Sequence, residues 1–375
     1  MKEFNTLAVC IPSKHYMVDL SERVTEIKAL VDDGKYFCIN RARQYGKTTT
    51  ISVLESRLAS EYCVLSLDFQ KISDASFRTE EAFVKAFSRQ VIRKMRRKAI
   101  PDDIVQALQE IADRRDHPAV MDELFDVLGE WCDTSQQPIV MIIDEVDTAT
   151  NNQVFLDFLA QLRADYLEQK KDPEDKTFQS VILAGVTDVK HLKTKIRPEE
   201  EHKENSPWNI AADFTIDMSL SKDGIRGMLE EYEADHQTGM NTDVIAGMIR
   251  EYTEGYPFLV SRICQLADEV VSRETGLAEA WTKQGIGEAI RRLIAEDNTL
   301  FQSITKQLNN YPELKAALRS ILMEGTKLAW NTDQREIAQM QMYGRLLLTS
   351  RRLTVFRSKR PLMQLLQTGV NIPVL

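Results

Sequence analysis

The segment from Arg41 to Thr48 combines residue types that together can hold a phosphate chain. A glycine lets the backbone approach a phosphate closely, and the N–H groups at the start of a following helix point at the negative charge, which the helix dipole also favours. Lys47 can reach β- and γ-phosphates, and the Thr48 hydroxyl can ligate Mg²⁺. The pattern therefore predicts a phosphate-binding loop built around Gly46, Lys47 and Thr48.

This loop departs from the usual pattern at one position. The usual motif has a glycine five residues before Gly46, where this chain has Arg41. A glycine–lysine–threonine triplet is also often only a turn before a surface helix. Taken alone, the loop leaves that alternative open.

A pair of carboxylates, Asp144 and Glu145, ends the apolar run Ile139–Ile143. Five consecutive apolar residues fit a strand that is buried on both faces, and the carboxyl ends of such strands face the ligand crevice. We expect Asp144 to hold Mg²⁺ and Glu145 to polarise the attacking water. The alternative is an acidic strand end that caps the next helix. The order of the two motifs along the chain argues against it.

Strand-like and helix-like stretches alternate around both motifs. Strands are predicted at 36–39, 63–69, 138–145, 178–188 and 213–218, and helices at 48–59, 79–98, 103–115, 119–132 and 152–169. This alternation predicts an α/β fold, a parallel sheet flanked by helices. After the last strand only helical patterns follow, which predicts a helical lid. The expected organisation is an N-terminal segment at 1–35, an α/β core at 36–220, a lid at 221–310, and a winged-helix-like segment with a basic, disordered tail at 311–375.

The composition excludes several classes of protein. A net charge of −9 argues against a general nucleic-acid coat, and 43% hydrophobic residues suffice for real cores. No apolar run is long enough to span a membrane, and no signal peptide is evident. The cysteines and histidines are scattered, which argues against disulfides or a zinc site and for the cytoplasm. The cysteines are Cys10, Cys38, Cys63, Cys132 and Cys264.

Four segments carry a resemblance to a known family. They are Tyr16–Asp19, Arg41–Thr48, Ile142–Asp147 and Gly255–Leu259. Over about residues 10–345 the chain resembles bacterial AAA-ATPase-like proteins, P-loop NTPases that lie near the STAND and archaeal-type ATPases. An arginine-rich loop before the glycine is typical of that family, so Arg41 supports the resemblance. Many relatives carry a C-terminal nuclease-like domain, which this chain is expected to lack.

The resemblance implies a site for ATP with Mg²⁺. Its catalytic residues would be Lys47 and the Walker B pair Asp144 and Glu145, and its metal ligands Thr48 and Asp144. Contacts to the nucleotide are expected from Arg43, Gln44, Tyr45, Gly46, Lys47, Thr48, Thr49, Thr187, Tyr256 and Pro257. Thr187 would sense the γ-phosphate, and Gly255–Pro257 would form the Gly-x-Pro lid element that closes on the base.

Three further assignments stay open at this point. Tyr16 and Val18 either border the adenine or simply pack in a core. Arg262 is either a second phosphate sensor or a helix-surface residue. An arginine such as Arg163 or Arg197 would act on a neighbouring copy.

The leading functional expectation is slow hydrolysis of Mg-ATP coupled to movement of the lid. The alternative is a nucleotide-gated switch that binds a protein or DNA partner without hydrolysis. A kinase is disfavoured, because the adjacent Asp144–Glu145 pair suits activation of water better than an acceptor site. A homo-oligomer or protein partner is expected, and no membrane is. The basic tail after Glu336 would either contact DNA or be a disordered positive arm, and loss of salt-dependent DNA affinity on deletion of 345–375 would support the first.

Overall fold

Four strands form one parallel sheet in the computed structural model of the chain. The model describes residues 2–96, 100–186, 189, 208–296, 300, 302, 309, 312, 315 and 316. The strands are β1 Phe37–Asn40, β2 Cys63–Asp68, β3 Ile139–Asp144 and β4 Ser180–Gly185. Their order across the sheet is β1–β4–β3–β2. Every residue of β3 and β4 is buried, as the continuous apolar runs predict for strands covered on both faces.

The pairing register brings the strand ends to one edge of the sheet. Asn40 lies opposite Gly185, and Asp68 lies opposite Asp144. Because all pairs are parallel, the four carboxyl ends share this edge. The predicted class, a parallel α/β sheet with flanking helices, is confirmed.

The predicted fifth strand at 213–218 is wrong. Among the residues described there, the backbone makes one isolated parallel bridge, between Phe37 and Ala212, and the Ala212 N–H donates to the Tyr36 carbonyl at 2.7 Å. The ring of Phe214 stacks on Phe37 with centroids 5.9 Å apart, so the side-chain pattern behind the prediction is real. Beyond it, the Asp217 carboxylate accepts from the Ser219 N–H at 2.9 Å, and this local turn replaces a ladder.

Six helices precede the end of the sheet in the described chain, and six follow it. Those up to β4 are α1 Ser21–Asp32, α2 Lys47–Leu58, α3 Glu80–Met95, α4 Asp102–Asp113, α5 Met121–Thr134 and α6 Gln153–Lys171. Those after it are α7 Lys222–His236, α8 Thr242–Thr253, α9 Pro257–Leu266, α10 Ser272–Thr275, α11 Leu277–Ala280 and α12 Lys283–Ala295. In the part of the chain that the structure covers, none of these helices is long and apolar enough to cross a membrane.

The chain divides into two compact units, each with its own core. The sheet unit comprises Glu22–Asn40 and Thr50–Ile216, and the helical unit comprises Met1–Ser21, Arg41–Thr49 and Asp217–Leu375. Phenylalanine rings dominate the core of the sheet unit, with Phe83 and Phe158 5.5 Å apart at its centre. Burying rings of this size contributes much of the stability of such a core.

The core of the helical unit contains the N-terminal segment. Tyr16 is buried there, and its hydroxyl donates to Asp235 at 2.7 Å. Its ring lies 5.1 Å from both Phe4 and Tyr232. Val18 belongs to the same core cluster. These contacts support packing, rather than a border to adenine, as the role of Tyr16 and Val18.

Candidate functional site

The loop between β1 and α2 has the predicted order of strand, tight loop and helix. β1 ends at Asn40 and α2 begins at Lys47. Gly46 has a φ of 77° and Gln44 a φ of 58°, both in the left-handed region. Glycine adopts this conformation without strain, whereas a glutamine there is uncommon and marks a backbone held by its surroundings.

The Lys47 side chain is folded into this loop. It is only 6% exposed, and its Nζ donates to the carbonyls of Arg41 at 2.9 Å and Ala42 at 3.0 Å. A buried ammonium group needs oxygen acceptors to offset its lost hydration. Phosphate oxygens are acceptors of the same kind with more negative charge. The amine is therefore held beside a loop whose geometry suits an anionic ligand.

The two threonines after Lys47 have different surroundings. Thr48 is exposed in the first turn of α2, so its hydroxyl is accessible to solvent. Thr49 is half-buried, and its Oγ1 accepts from the Cys10 N–H at 3.2 Å. The Thr49 hydroxyl thus tethers the N-terminal segment to the start of the helix, in addition to any ligand contact.

Tyr256 and Pro257 contact the loop directly, within the helical unit. The Tyr256 hydroxyl donates to the Arg43 carbonyl, and the Tyr256 ring meets the Tyr45 ring edge-on at 4.7 Å. A Cβ placed on Gly46 would lie 3.6 Å from the Pro257 Cγ, so the proline ring covers the glycine. Burial raises the pKa of Tyr256, and the nearby Tyr45 adds to the shift, so the donated proton stays in place. The turn that was predicted to be a lid element thus braces the loop that was predicted to bind phosphate.

Gly255 is fixed at its position by a close approach of two backbones. Its φ is 71°, and a Cβ there would lie 2.2 Å from the Leu220 carbonyl oxygen. The Leu220 N–H donates to the Gly255 carbonyl at 2.8 Å. Pro257 then begins α9, where a missing N–H costs nothing. The Gly-Tyr-Pro sequence is therefore a turn of defined shape, which aims Tyr256 and Pro257 at the loop.

The acidic pair lies in the sheet unit, at the end of β3. Asp144 is the last residue of the strand and is 7% exposed, and its Oδ1 accepts from the Glu145 N–H at 2.9 Å. Glu145 has a φ of 55°, a left-handed conformation for a residue with a side chain. Strain of this kind persists only where the surroundings impose it, and it concentrates at functional sites.

Two residues that we did not predict hold the acidic loop to the neighbouring strand. The Asp147 Oδ2 accepts from the Val186 N–H at 2.6 Å. A Cβ on Gly185 would lie 2.8 Å from the Val146 Cγ2 and 2.9 Å from the Asp147 Oδ2. The sequence signal for Asp147 was its place three residues after Asp144. For Gly185 the signal was a glycine at the end of an otherwise apolar strand.

The predicted γ-phosphate sensor and the three predicted arginines differ in what the structure says of them. Thr187 and Arg197 lie outside the described residues, as do nearly all of 311–375 and all of 345–375. The Arg262 guanidinium pairs with Glu296 and donates to the Gln265 Oε1 at 2.7 Å, which supports the helix-surface interpretation. Arg163 lies on α6, and its Nε is buried without a hydrogen-bond partner in the structure as described.

Each unit holds a part of the predicted set. The helical unit contains Arg43, Gln44, Tyr45, Gly46, Lys47, Thr48, Thr49, Tyr256 and Pro257, and the sheet unit contains Asp144 and Glu145. Within the described ranges, no group of three or more His, Cys, Asp or Glu side chains could hold a metal ion by itself.

The sequence profile of the AAA-like domain family matches residues 6–358. No curated protein matches the chain. Among solved structures, the chain is similar to Cdc6p from Pyrobaculum aerophilum, with 13% sequence identity and a TM-score of 0.43. The match covers 98% of this chain and 89% of Cdc6p. The chain is also similar to two Aeropyrum pernix proteins at 12% identity. One is ORC2 in its ADPNP–ADP complexes, with 98% and 96% coverage and a TM-score of 0.47. The other is ORC1 in complex with DNA, with 94% and 93% coverage and a TM-score of 0.42. Because these TM-scores are low, family membership rests on the profile match.

Proposed function

The chain belongs to the AAA-like domain family, and from that premise we propose that it binds Mg-ATP and hydrolyses it slowly. The observation that carries the proposal is the state of Lys47. Its amine is buried against the carbonyls of Arg41 and Ala42, at the start of a helix that follows a buried strand. A lysine in this position can exchange these carbonyls for the β- and γ-phosphate oxygens.

The proposed roles follow the chemistry of each side chain. Lys47 and the N–H groups at the start of α2 bind the phosphates, with Arg43, Gln44, Tyr45 and Gly46 shaping the loop. The Thr48 hydroxyl and the Asp144 carboxylate are hard oxygen donors, which fits Mg²⁺. Bound Mg²⁺ would neutralise charge on the β- and γ-phosphates. Glu145 orients and polarises the attacking water. Thr187, as the γ-phosphate sensor, remains part of the proposal.

We also propose that occupancy of the loop is transmitted through Tyr256 and Pro257. The support is the Tyr256 bond to the Arg43 carbonyl and the contact of Pro257 with Gly46. Phosphates that reshape the loop would change both contacts and so displace the start of α9. Through this displacement, the nucleotide state would be coupled to movement of the lid.

The test is steady-state phosphate release from Mg-ATP beside equilibrium ATP binding, in the wild type and in Glu145→Gln. Loss of a positioned general base lowers rates by roughly 10²–10⁴-fold, so we expect turnover to fall at least 100-fold while ATP affinity is retained. Glu130→Gln, an exposed residue of α5, is the matched control and should leave both unchanged. Lys47→Ala should weaken ATP binding by roughly 100-fold, as loss of charge-assisted hydrogen bonds predicts.

Equal turnover in the wild type and Glu145→Gln would rule out Glu145 as the base. If the wild type binds ATP without turnover, the second candidate applies, a nucleotide-gated switch with a protein or DNA partner. The contact of Tyr256 with the loop is the observation that favours this candidate, because it requires binding alone. If an arginine from a neighbouring copy completes the site, the hydrolysis rate per chain will rise with protein concentration in the same assay. Arg163 is the candidate among the described residues.

A further inference from the structure

A cavity of about 500 Å³ opens beside the C-terminal half of α3, inside the sheet unit. Four cationic side chains line it. They are Lys71, Arg89, Arg93 and Arg96. None of the residues proposed for the ATP site lies in its wall. The cavity therefore needs an explanation of its own.

Arg89 and Arg93 lie on one face of α3, and Arg96 follows the last residue of the helix in the same row. Arg89, Arg93 and Arg96 are spaced by four and three residues, the interval that stacks side chains along a helix. A basic last turn complements the helix dipole and is usually a solvated face. That explanation covers Arg93 and Arg96, but Arg89 lies almost two turns from the helix end at Met95. The cationic row thus follows the cavity further than the dipole requires.

Carboxylates neutralise only a part of this charge. Lys71 pairs with Asp68 at 3.0 Å. Arg89 donates to the Ala112 carbonyl and lies 4.0 Å from Asp113. Arg93 and Arg96 have no carboxylate within 4.0 Å among the residues described. Both are exposed at the cavity wall, so their guanidinium groups are accessible to an anionic ligand.

A buried amide in the same wall lacks one hydrogen bond. Gln90 is 3% exposed, and its Nε2 donates to the Asp68 carbonyl at 2.6 Å. Its Oε1 is buried without a donor. Because this oxygen is buried, the amide shapes the wall of the cavity and is not itself a ligand contact. Ile72 and Ile92 add apolar surface to the lining.

We propose that this cavity binds a small ligand that carries at least two phosphate groups. Guanidinium groups are the side chains best suited to phosphate, which they bind through paired N–H donors. The volume lies in the range of small-molecule sites, about 300–1,000 Å³. A concave site of this size admits a mononucleotide-sized ligand, whereas a nucleic-acid duplex would contact only its rim. The ligand occupies a site distinct from the phosphate-binding loop and independent of ATP hydrolysis.

The test is calorimetric titration of the full chain with inorganic pyrophosphate. It uses the Lys47→Ala variant, in which binding of pyrophosphate to the loop before α2 is weakened. Arg93→Gln/Arg96→Gln should weaken pyrophosphate affinity at least tenfold, roughly the loss of one charge-assisted hydrogen bond. The matched control is Arg78→Gln/Lys94→Gln, which removes the same charge from exposed positions outside the cavity wall. It should change affinity less than twofold. Coincident urea unfolding curves would show that both variants fold alike.

Three outcomes would overturn the proposal. One is the absence of pyrophosphate binding in the Lys47→Ala background. Another is an equal loss of affinity in the two double variants, which would indicate a diffuse field rather than a site. The last is tighter binding of a single-stranded oligonucleotide than of pyrophosphate, with an oligonucleotide affinity that both double variants lower equally. That result would assign this face to nucleic acid. Arg93→Lys/Arg96→Lys separates charge from geometry and should retain only a part of the affinity.

Discussion

The predicted phosphate-binding loop before α2 and the acidic loop after β3 are held in place by different means. The first is braced from far along the chain, since Tyr256 donates to the Arg43 carbonyl and Pro257 covers Gly46. The second is held by its own strand edge, where Asp144 accepts from the next N–H and Asp147 accepts from the N–H of Val186. One loop thus depends on a remote turn, the other on the rigid end of the sheet.

This difference has a consequence for function. The loop that is proposed to bind phosphate can respond to movement of the remote turn, because its brace is one hydrogen bond and two ring contacts. The acidic loop has its geometry fixed by a buried strand and cannot move without disturbing the sheet. We therefore expect changes at the remote turn to alter ATP affinity first, and changes at the strand edge to alter turnover first.

Replacing Gly255 with alanine should break the remote brace and have the largest effect. The new Cβ would meet the Leu220 carbonyl oxygen at 2.2 Å, on a residue with a φ of 71°. Backbone must then move, and we expect a loss of about 3 kcal/mol in the free energy of unfolding together with weaker ATP binding. Urea denaturation and ATP titration measure the two effects.

Gly239→Ala is the control for this change. Gly239 has a φ of 79° and open space around the added Cβ, so it tests the backbone strain alone, about 1 kcal/mol. If the two variants lose the same stability, the close approach to Leu220 is not what fixes the turn.

Gly185→Ala should disturb the acidic loop from the strand edge. The added Cβ would press on Val146 and on the Asp147 carboxylate, which would give up its bond to the Val186 N–H. Overpacking of this kind costs about 2 kcal/mol, and we expect phosphate release to fall more than ATP affinity. Gly129→Ala, inside α5 with nothing within 4 Å, should be neutral or stabilising by about 1 kcal/mol. An affinity loss larger than the turnover loss in Gly185→Ala would contradict the comparison.

Tyr256→Phe should have the smallest effect, because it removes only the hydroxyl from the remote brace. The Arg43 carbonyl would lose its donor, at a cost of about 1 kcal/mol. If the bond preorganises the loop, ATP affinity falls roughly fivefold while turnover at saturation is unchanged. Tyr252→Phe, at an exposed position on α8, is the matched control. Unchanged affinity in Tyr256→Phe would show that the loop needs no brace from this hydroxyl.

Much of the fold could be predicted because buried parallel strands carry a direct signal. Ile139–Ile143 is continuously apolar, and the structure buries it on both faces. The stretch 213–218 gives a different signal, an alternation of polar and apolar residues, and forms no strand. Whether a backbone pairs also depends on its neighbouring strand and not only on its own side chains. The contacts of Tyr256 and Asp147 were missed for a related reason. Each is an interaction between a side chain and the backbone of a distant segment.

The sequence by itself determined that a glycine–lysine–threonine loop follows one buried strand and that an acidic pair ends another, because these motifs depend on local residue types and on the period of burial. Only the tertiary structure decided that β4 lies between β1 and β3, that a turn at 255–257 braces the loop, and that arginines of α3 enclose a cavity. These features arise from packing between segments far apart in the chain, and single-residue patterns do not encode which segments meet.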